Sequence, residues 1–159
     1  TYDEAAALSG GIVGRAHFAR VMMEKGYVKS VKEAFDKYLS SGRGGYSNTQ
    51  KISPKEAVEL IKNAGGKAFA AHLHLMKRDD DDLFEFIKSL KSAGLDGIEG
   101  YYTEYTPKMQ KKYQNLAKRL DLKISGGTDF HGLMKPHIEI GTGLGNLKIP
   151  YSGLENMRK

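Results

Sequence analysis

The order of apolar segments from residue 53 onward constrains the fold of this chain more than any other feature. Short runs of strand length at 67–72, 97–101 and 122–125 alternate with stretches of helical period at 53–63, 83–93 and 106–120. Strands that alternate with helices pair in parallel, because each helix returns the chain to the starting edge through a right-handed crossover. The sequence therefore predicts an α/β fold with a parallel sheet over this region.

The first 45 residues have a different pattern. Helical periods at about 3–8, 16–25 and 31–39 occur with no strand pattern among them, and the last of these begins with a capping-box pair, Ser30 and Glu33. A glycine-rich and serine-rich loop at 40–45 follows, where helix continuation is costly. We therefore divide the chain into a helical part, residues 1–45, and an α/β part, residues 46–159.

Composition limits the chemistry that the chain can carry. None of its 159 residues is cysteine, so a metal ion would have to be held by histidine and carboxylate, and a cytoplasmic protein is expected. No apolar run reaches the roughly 18 to 20 residues that span a bilayer, and no signal-peptide pattern is present, so we expect no membrane association. The net charge of +6 suits partners that carry phosphate, although a solvated lysine surface explains it equally well.

Residues able to bind a metal ion follow the predicted strands. His72 and His74 end the first strand, and Asp129 and His131 follow the third within the segment Gly-Gly-Thr-Asp-Phe-His-Gly. In a parallel sheet, reactive side chains gather at the carboxyl ends of strands, and an Asp-x-His pair on extended chain points both side chains to one side. Zinc, manganese and iron accept such oxygen and nitrogen donors. The alternatives are a simple turn and histidines that are hydrogen-bonded in the core.

Six segments, in order along the chain, resemble one protein family. They are Gly-Arg-Ala-His at 14–17, Ala-Phe-Asp-Lys-Tyr-Leu at 34–39, Gly-Gly-Lys-Ala at 65–68, Ala-His at 71–72, Gly-Leu-Asp-Gly-Ile-Glu at 94–99 and Gly-Thr-Asp-Phe-His-Gly at 127–132. Together they resemble the polymerase and histidinol phosphatase (PHP) superfamily. Within it, they are most similar to metal-dependent phosphoesterases that act on nucleoside 3′,5′-bisphosphates and on the 5′ ends of short RNA.

The resemblance implies a fold and an organisation. The chain would be the carboxyl-terminal part of a distorted (β/α)7 PHP barrel, with residues 1–45 as a helical insertion that covers the active site and residues 46–159 as the last β/α units. The amino-terminal His-x-His of the family does not occur ahead of residue 72. The remaining family ligands would therefore lie in chain that precedes this sequence, and we expect residues 1–159 alone to bind metal weakly and to be inactive.

The resemblance also implies roles for particular residues. His72, Asp129 and His131 would be metal ligands, and Asp129 and His131 would also be the catalytic residues. Arg15 and His17 match the Gly-Arg-x-His segment and would bind the phosphate of the substrate, a role that suits the forked donors of arginine.

Three further residues receive no ligand role. The sequence departs from the family after His72, where Leu-His replaces Pro-Gly, and we do not expect His74 to contact metal. His137 is interpreted as a surface residue. Glu99 lies on a strand that reaches the same edge of the sheet, but the resemblance gives it no ligand role.

The function implied is hydrolysis of nucleotide phosphate esters by divalent metal ions, manganese first, with zinc, iron or magnesium as alternatives. The substrate would be a phosphorylated small molecule or a short oligonucleotide, and unpaired sheet edges would allow a homodimer. Two alternatives remain: a non-catalytic nucleotide-binding or RNA-binding module, and the PHP domain of a replicative polymerase. The Gly-Arg-x-His segment, and an expected end of the domain soon after its closing turn, argue against the polymerase domain.

Overall fold

The computed structural model describes residues 1–47 and 51–158, which fall into two units. The first unit is Thr1–Lys51 and the second is Ile52–Lys159. The sequence placed the division between residues 45 and 46. The role of the first unit as an insertion over an active site stays a prediction.

The first unit is helical. Helix α1 spans Tyr2–Ala7, α2 spans Arg15–Glu24, and α3 spans Val31–Ala34 and continues as a wider, π-helical turn over Phe35–Leu39. The predicted cap at Ser30 forms, because its hydroxyl accepts a hydrogen bond from the Glu33 amide at 3.1 Å. Four buried side chains form the centre of this unit, namely Ala19, Val28, Ala34 and Leu39.

The second unit alternates strands and helices as the sequence predicted. Its elements are α4 at Pro54–Asn63, β1 at Phe69–Ala70, α5 at Asp80–Ser92, β2 at Gly97–Tyr102, α6 at Pro107–Arg119, β3 at Lys123–Gly127 and α7 at Tyr151–Arg158. Short 3₁₀ turns cover Leu73–Met76 and Gly132–Met134. Within the described residues, the sheet has the order β1-β2-β3, and both pairs of strands are parallel.

Buried apolar side chains from the sheet and from α4, α5 and α6 form one core. Ile98 in β2 and Ile87 in α5 are fully buried within it. Asp96 connects the segments at the amino-terminal ends of the strands, which lie at the opposite end of the sheet from the predicted site. Its carboxylate accepts the Ala68 amide at 2.7 Å and pairs with Lys62 at 2.8 Å, while its carbonyl accepts the Lys123 amide at 3.0 Å.

Two elements differ from the prediction. β1 is shorter than the apolar run at 67–72, and the backbone adopts a left-handed conformation at His72, whose φ is 51°. Residues 147–150 form no strand, and a helix that the sequence did not predict, α7, follows them. Pro150, which lacks an N–H to donate to a strand ladder, instead precedes α7, and this helix packs against β3.

Among the residues described, none of the helices combines the length and the apolar character that crossing a membrane would require.

Strand β2 contains a bulge at Gly100. Glu99 pairs with Ser125, but Tyr101 pairs with Gly126, so Gly100 is an extra residue on β2. In a regular strand residues 99 and 102 would face opposite sides, whereas here both reach His72. The Glu99 carboxylate accepts the His72 amide at 2.8 Å, and the Tyr102 ring centroid lies 5.1 Å from that of His72.

The bulge depends on the small size of residue 100. A Cβ atom at Gly100 would lie 2.6 Å from Cγ2 of Ile124, a branched side chain packed against the core. We expect Gly100→Ala to lower the free energy of unfolding by about 1–3 kcal/mol through overpacking. Urea titration of the chain, followed by circular dichroism, measures the change.

Gly153→Ala is the matched control. Its Cβ would meet only the Ile124 carbonyl at 3.5 Å, an ordinary contact, and it lies inside α7. It should raise the free energy of unfolding by about 0.5–1 kcal/mol, because alanine favours helix over glycine. Equal stability of the two variants would contradict the role given to Gly100.

Candidate metal site

Two predicted ligands, His72 and Asp129, adopt the left-handed backbone conformation. Their φ angles are 51° and 55°. This region is uncommon for residues other than glycine, although aspartate and histidine enter it more readily than most, and such residues are found preferentially at functional sites. The expectation that Asp129 and His131 lie on extended chain is therefore wrong, because β3 ends at Gly127 and the backbone turns at Asp129.

The three predicted ligands nevertheless lie together. Oδ1 of Asp129 is 3.8 Å from Nε2 of His72 and 3.4 Å from Nδ1 of His131. The Asp129 side chain is 18% exposed, so the carboxylate has lost most of its contact with water. Parallel pairing brings the two segments together, since β1 and β3 both flank β2 and end at the same edge. The ligand role of these residues stays a prediction.

The second oxygen of Asp129 contacts two different partners. The Tyr102 hydroxyl donates to Oδ2 at 3.1 Å, and the Lys135 ammonium forms an ion pair with the same oxygen. Burial alone would raise the pKa of Asp129, but the hydrogen bonds from Lys135 and Tyr102 outweigh it and lower that pKa below its usual value. Asp129 therefore stays ionised at neutral pH.

His72 is held through its backbone. Its amide donates to Oε2 of Glu99 at 2.8 Å, and Glu99 is only 7% exposed. Burial raises the pKa of Glu99, and the neighbouring Asp129 adds to this, while the hydrogen bond from His72 opposes it. Glu99 thus stabilises the strained turn that carries the His72 ring.

His131 is oriented by the backbone of Asp129. Nδ1 of His131 lies 2.7 Å from the Asp129 carbonyl oxygen, which can only accept a hydrogen bond. Nδ1 therefore carries the proton and donates, so the neutral ring keeps a lone pair on Nε2. A histidine whose other ring nitrogen donates to a carbonyl is a common arrangement for a metal ligand.

The donor set suits a divalent cation but is incomplete. One carboxylate with two imidazoles is typical of zinc, manganese and iron sites, and the Lys135 ammonium already places positive charge at this carboxylate. Across residues 1–47 and 51–158, however, no group of three His, Cys, Asp or Glu side chains is arranged so that it could hold a metal ion by itself. The residues therefore fit part of a coordination sphere.

The other two histidines of the second unit differ from His72 and His131. His74 packs against the Tyr102 and Tyr105 rings, with centroids 5.5 and 5.4 Å away, and its Nε2 is 3.7 Å from Glu104. Its Nδ1 is buried and, within the described part of the chain, has no hydrogen-bond partner. His137 is exposed, as the sequence suggested.

Arg15 and His17 lie in the first unit and make contacts within it. Arg15 Nη1 donates to the Leu39 carbonyl at 3.0 Å, and its guanidinium lies 5.1 Å from the ring centroid of Tyr46. His17 Nδ1 accepts the Gly14 amide at 2.9 Å, which caps the beginning of α2. These contacts give both side chains a structural role, and their binding of phosphate stays a prediction.

Sequence reasoning missed three residues that contact the predicted ligands. Glu99 was given no role at the site, and Tyr102 and Lys135 were not singled out. Glu99 could have been suspected, since a carboxylate in an otherwise apolar strand must have a partner. Tyr102 could not have been suspected, because the direction of its side chain depends on the bulge at Gly100. Lys135 could not have been suspected either, because its ion pair with Asp129 depends on the path of a loop.

Comparison with known proteins gives relatives of one kind. No family model matches the chain. It is 34% identical over 130 residues to a 5′-3′ exoribonuclease of Haemophilus influenzae, covering 82% of this chain and 47% of that protein. It is 34% identical over 120 residues to a 3′,5′-nucleoside bisphosphate phosphatase of Chromobacterium violaceum, covering 76% of this chain and 42% of that protein.

A solved structure agrees with these relatives. A protein of Bifidobacterium adolescentis, provisionally described as a metal-dependent phosphoesterase, superposes with a TM-score of 0.80 at 27% identity, covering 99% of this chain and 55% of that one. The chain spans about half the length of the curated relatives it matches. The likeness to metal-dependent phosphoesterases of nucleotides and RNA is confirmed, and the relatives are hydrolases.

The raised pKa of Glu99 predicts a pH dependence of stability. The folded chain holds the Glu99 proton more tightly than the unfolded chain, so the stabilising contribution is present in acid. It is lost as pH rises from the unfolded pKa, about 4.3, through the higher folded pKa. Glutamine does not titrate, so we expect the Glu99→Gln variant not to lose stability through this residue as the pH rises. The free energy of unfolding of Glu99→Gln, relative to that of the unaltered chain, should therefore increase from pH 4 to pH 7.

Urea unfolding across this pH range, with a chelator present, tests this expectation. Glu155→Gln, at an exposed position of α7, is the control and should leave the pH profile unchanged. A Glu99→Gln profile parallel to that of the unaltered chain would contradict the interpretation.

Proposed function

We propose that this chain is the carboxyl-terminal part of a PHP-superfamily metal-dependent phosphoesterase with a distorted (β/α)7 barrel. It would hydrolyse phosphate esters of nucleotides, either nucleoside 3′,5′-bisphosphates or the 5′ ends of short RNA. The observation that carries the proposal is the position of Asp129 Oδ1, 3.8 Å from Nε2 of His72, with the His131 ring held beside the same residue by its hydrogen bond to the Asp129 carbonyl. The named activities of the relatives support it.

The two units would have separate tasks. Residues 1–45 would be an insertion that brings Arg15 and His17 to the phosphate of the substrate, and residues 46–159 would supply the last β/α units and three of the metal ligands. The His17 Nδ1 accepts a backbone hydrogen bond, so in the neutral ring the proton is on Nε2, which can donate to a phosphate oxygen.

The residues of the second unit suit the binding of divalent metal, with manganese first and zinc, iron or magnesium as alternatives. Such ions lower the pKa of bound water and neutralise charge on phosphoryl oxygens. Asp129 supplies a carboxylate that is ionised at neutral pH, and His72 and His131 supply imidazole nitrogens. Glu99 and Tyr102 fix the direction of two of these groups, and Lys135 reaches the same carboxylate.

One observation favours a second candidate, a non-catalytic nucleotide-binding or RNA-binding module. Within the part of the chain that the structure describes, no three suitable side chains form a metal cluster, and Lys135 already pairs with Asp129. Metal analysis of the full-length protein that contains this chain separates the two. Absence of manganese, iron and zinc, with RNA binding retained, would favour the second candidate.

Removal of the central carboxylate tests the phosphoesterase proposal. In the full-length protein supplied with manganese, Asp129→Ala should abolish hydrolysis of a nucleoside 3′,5′-bisphosphate, because the residue shared by the two imidazoles is lost. Phosphate release measures turnover, and circular dichroism checks the fold. Asp81→Ala, in the exposed first turn of α5, is the control and should retain full turnover. Undiminished turnover in Asp129→Ala would refute the proposed role.

The substrate role of Arg15 is tested against a neighbouring arginine on the same helix. Arg15→Ala should raise KM about tenfold or more, since a charge-assisted hydrogen bond contributes roughly 1.5–3 kcal/mol and 1.4 kcal/mol corresponds to a factor of ten. Arg20→Ala, which removes only a surface ion pair with Glu24, should leave KM unchanged. Thermal unfolding of both variants reports any loss of the Arg15 bond to Leu39. Equal KM values for the two variants would exclude Arg15 from the site.

A further inference from the structure

The two oxygens of the Asp129 carboxylate face different surroundings. Oδ1 lies between the His72 and His131 rings, at 3.8 and 3.4 Å from their nearest nitrogens. Oδ2 accepts the Tyr102 hydroxyl at 3.1 Å and pairs with Lys135. A carboxylate can rotate about its terminal bond, and the contacts at Oδ2 therefore decide which oxygen is presented to the imidazoles.

Tyr102 is the more rigid of the two partners of Oδ2. Its side chain is 3% exposed and packs against the rings of His72, His74 and Tyr105, with centroids 5.1, 5.5 and 5.2 Å away. Lys135, in contrast, is about one-third exposed and has a long, flexible side chain. The bulge at Gly100 aims the Tyr102 ring at Asp129 from the middle strand of the sheet.

We propose that Tyr102 is a positioning residue, whose hydroxyl holds Oδ2 of Asp129 so that Oδ1 faces a cation shared with His72. This inference rests on the proposed function. A tyrosine hydroxyl keeps its proton at neutral pH and can donate it to the carboxylate. Hydrogen bonds from neighbouring residues to a ligating carboxylate typically change metal affinity or activity by about 10–100-fold when removed.

The two partners of Oδ2 should act on metal affinity in opposite directions. Tyr102 is neutral and only orients the carboxylate, so its loss weakens binding. Lys135 brings a positive charge close to the carboxylate and repels a second cation there. Its removal should therefore tighten the binding of metal.

The test compares Tyr102→Phe with Tyr101→Phe in the full-length protein that contains this chain. Both variants lose one hydroxyl from adjacent residues of β2, but Tyr101 lines a separate cavity of about 670 Å³ beside α7. Calorimetric titration with Mn²⁺ should show binding about 10–100-fold weaker in Tyr102→Phe and unchanged in Tyr101→Phe. Lys135→Met should bind Mn²⁺ more tightly than the unaltered protein.

Thermal unfolding with and without Mn²⁺ separates positioning from a general structural role. A structural defect lowers Tm equally in both conditions, whereas a positioning defect reduces the rise in Tm that the metal produces, since stabilisation by a ligand follows its affinity. Unchanged Mn²⁺ affinity in Tyr102→Phe, or an equal loss in Tyr101→Phe, would overturn this inference and leave the proposed function standing. An unaltered protein that binds no Mn²⁺ would overturn both.

Discussion

The structure depends on the parallel pairing of β2 with both of its neighbours. β1 and β3 do not pair with each other, so the turns that follow them meet only because each is aligned to β2. β2 then contributes Glu99 to the His72 turn and Tyr102 to Asp129. A single strand therefore sets both the distance between the two segments and the direction of the groups they carry.

Two of the four described non-glycine residues with positive φ are predicted ligands, and the other two are Lys77 and Asp121. A non-glycine residue in a sparsely populated backbone region costs on the order of 1–3 kcal/mol, and His72 and Asp129 both adopt such a conformation. The hydrogen bond from the His72 amide to buried Glu99 offsets part of this cost. Without these turns, the strands would continue past the edge, and the side chains would alternate between the faces of the sheet instead of converging above its end.

The elements that sequence reasoning located are those with local signals. The capping pair of Ser30 and Glu33 marked the beginning of α3, and alternating helices and strands indicated the parallel sheet. The proximity of His72 to Asp129 followed from topology. The bulge at Gly100 did not, because it depends on pairing with a distant strand. The conformation at Asp129 and its ion pair with Lys135 depend on the path of the loop after β3, for which the sequence has no periodic pattern. The helix α7 was missed because Gly153 weakens its helical pattern.

The ion pair of Lys135 with Asp129 has a consequence for the folding pathway. An ionised carboxylate that is largely withdrawn from solvent is costly to bury alone, and a nearby ammonium offsets part of this cost. Lys135 is only six residues from Asp129, so closing the loop that joins them has a small entropic cost. Lys135 thus acts as a counterion within the chain. The segment that carries Asp129 can therefore fold without a bound metal ion.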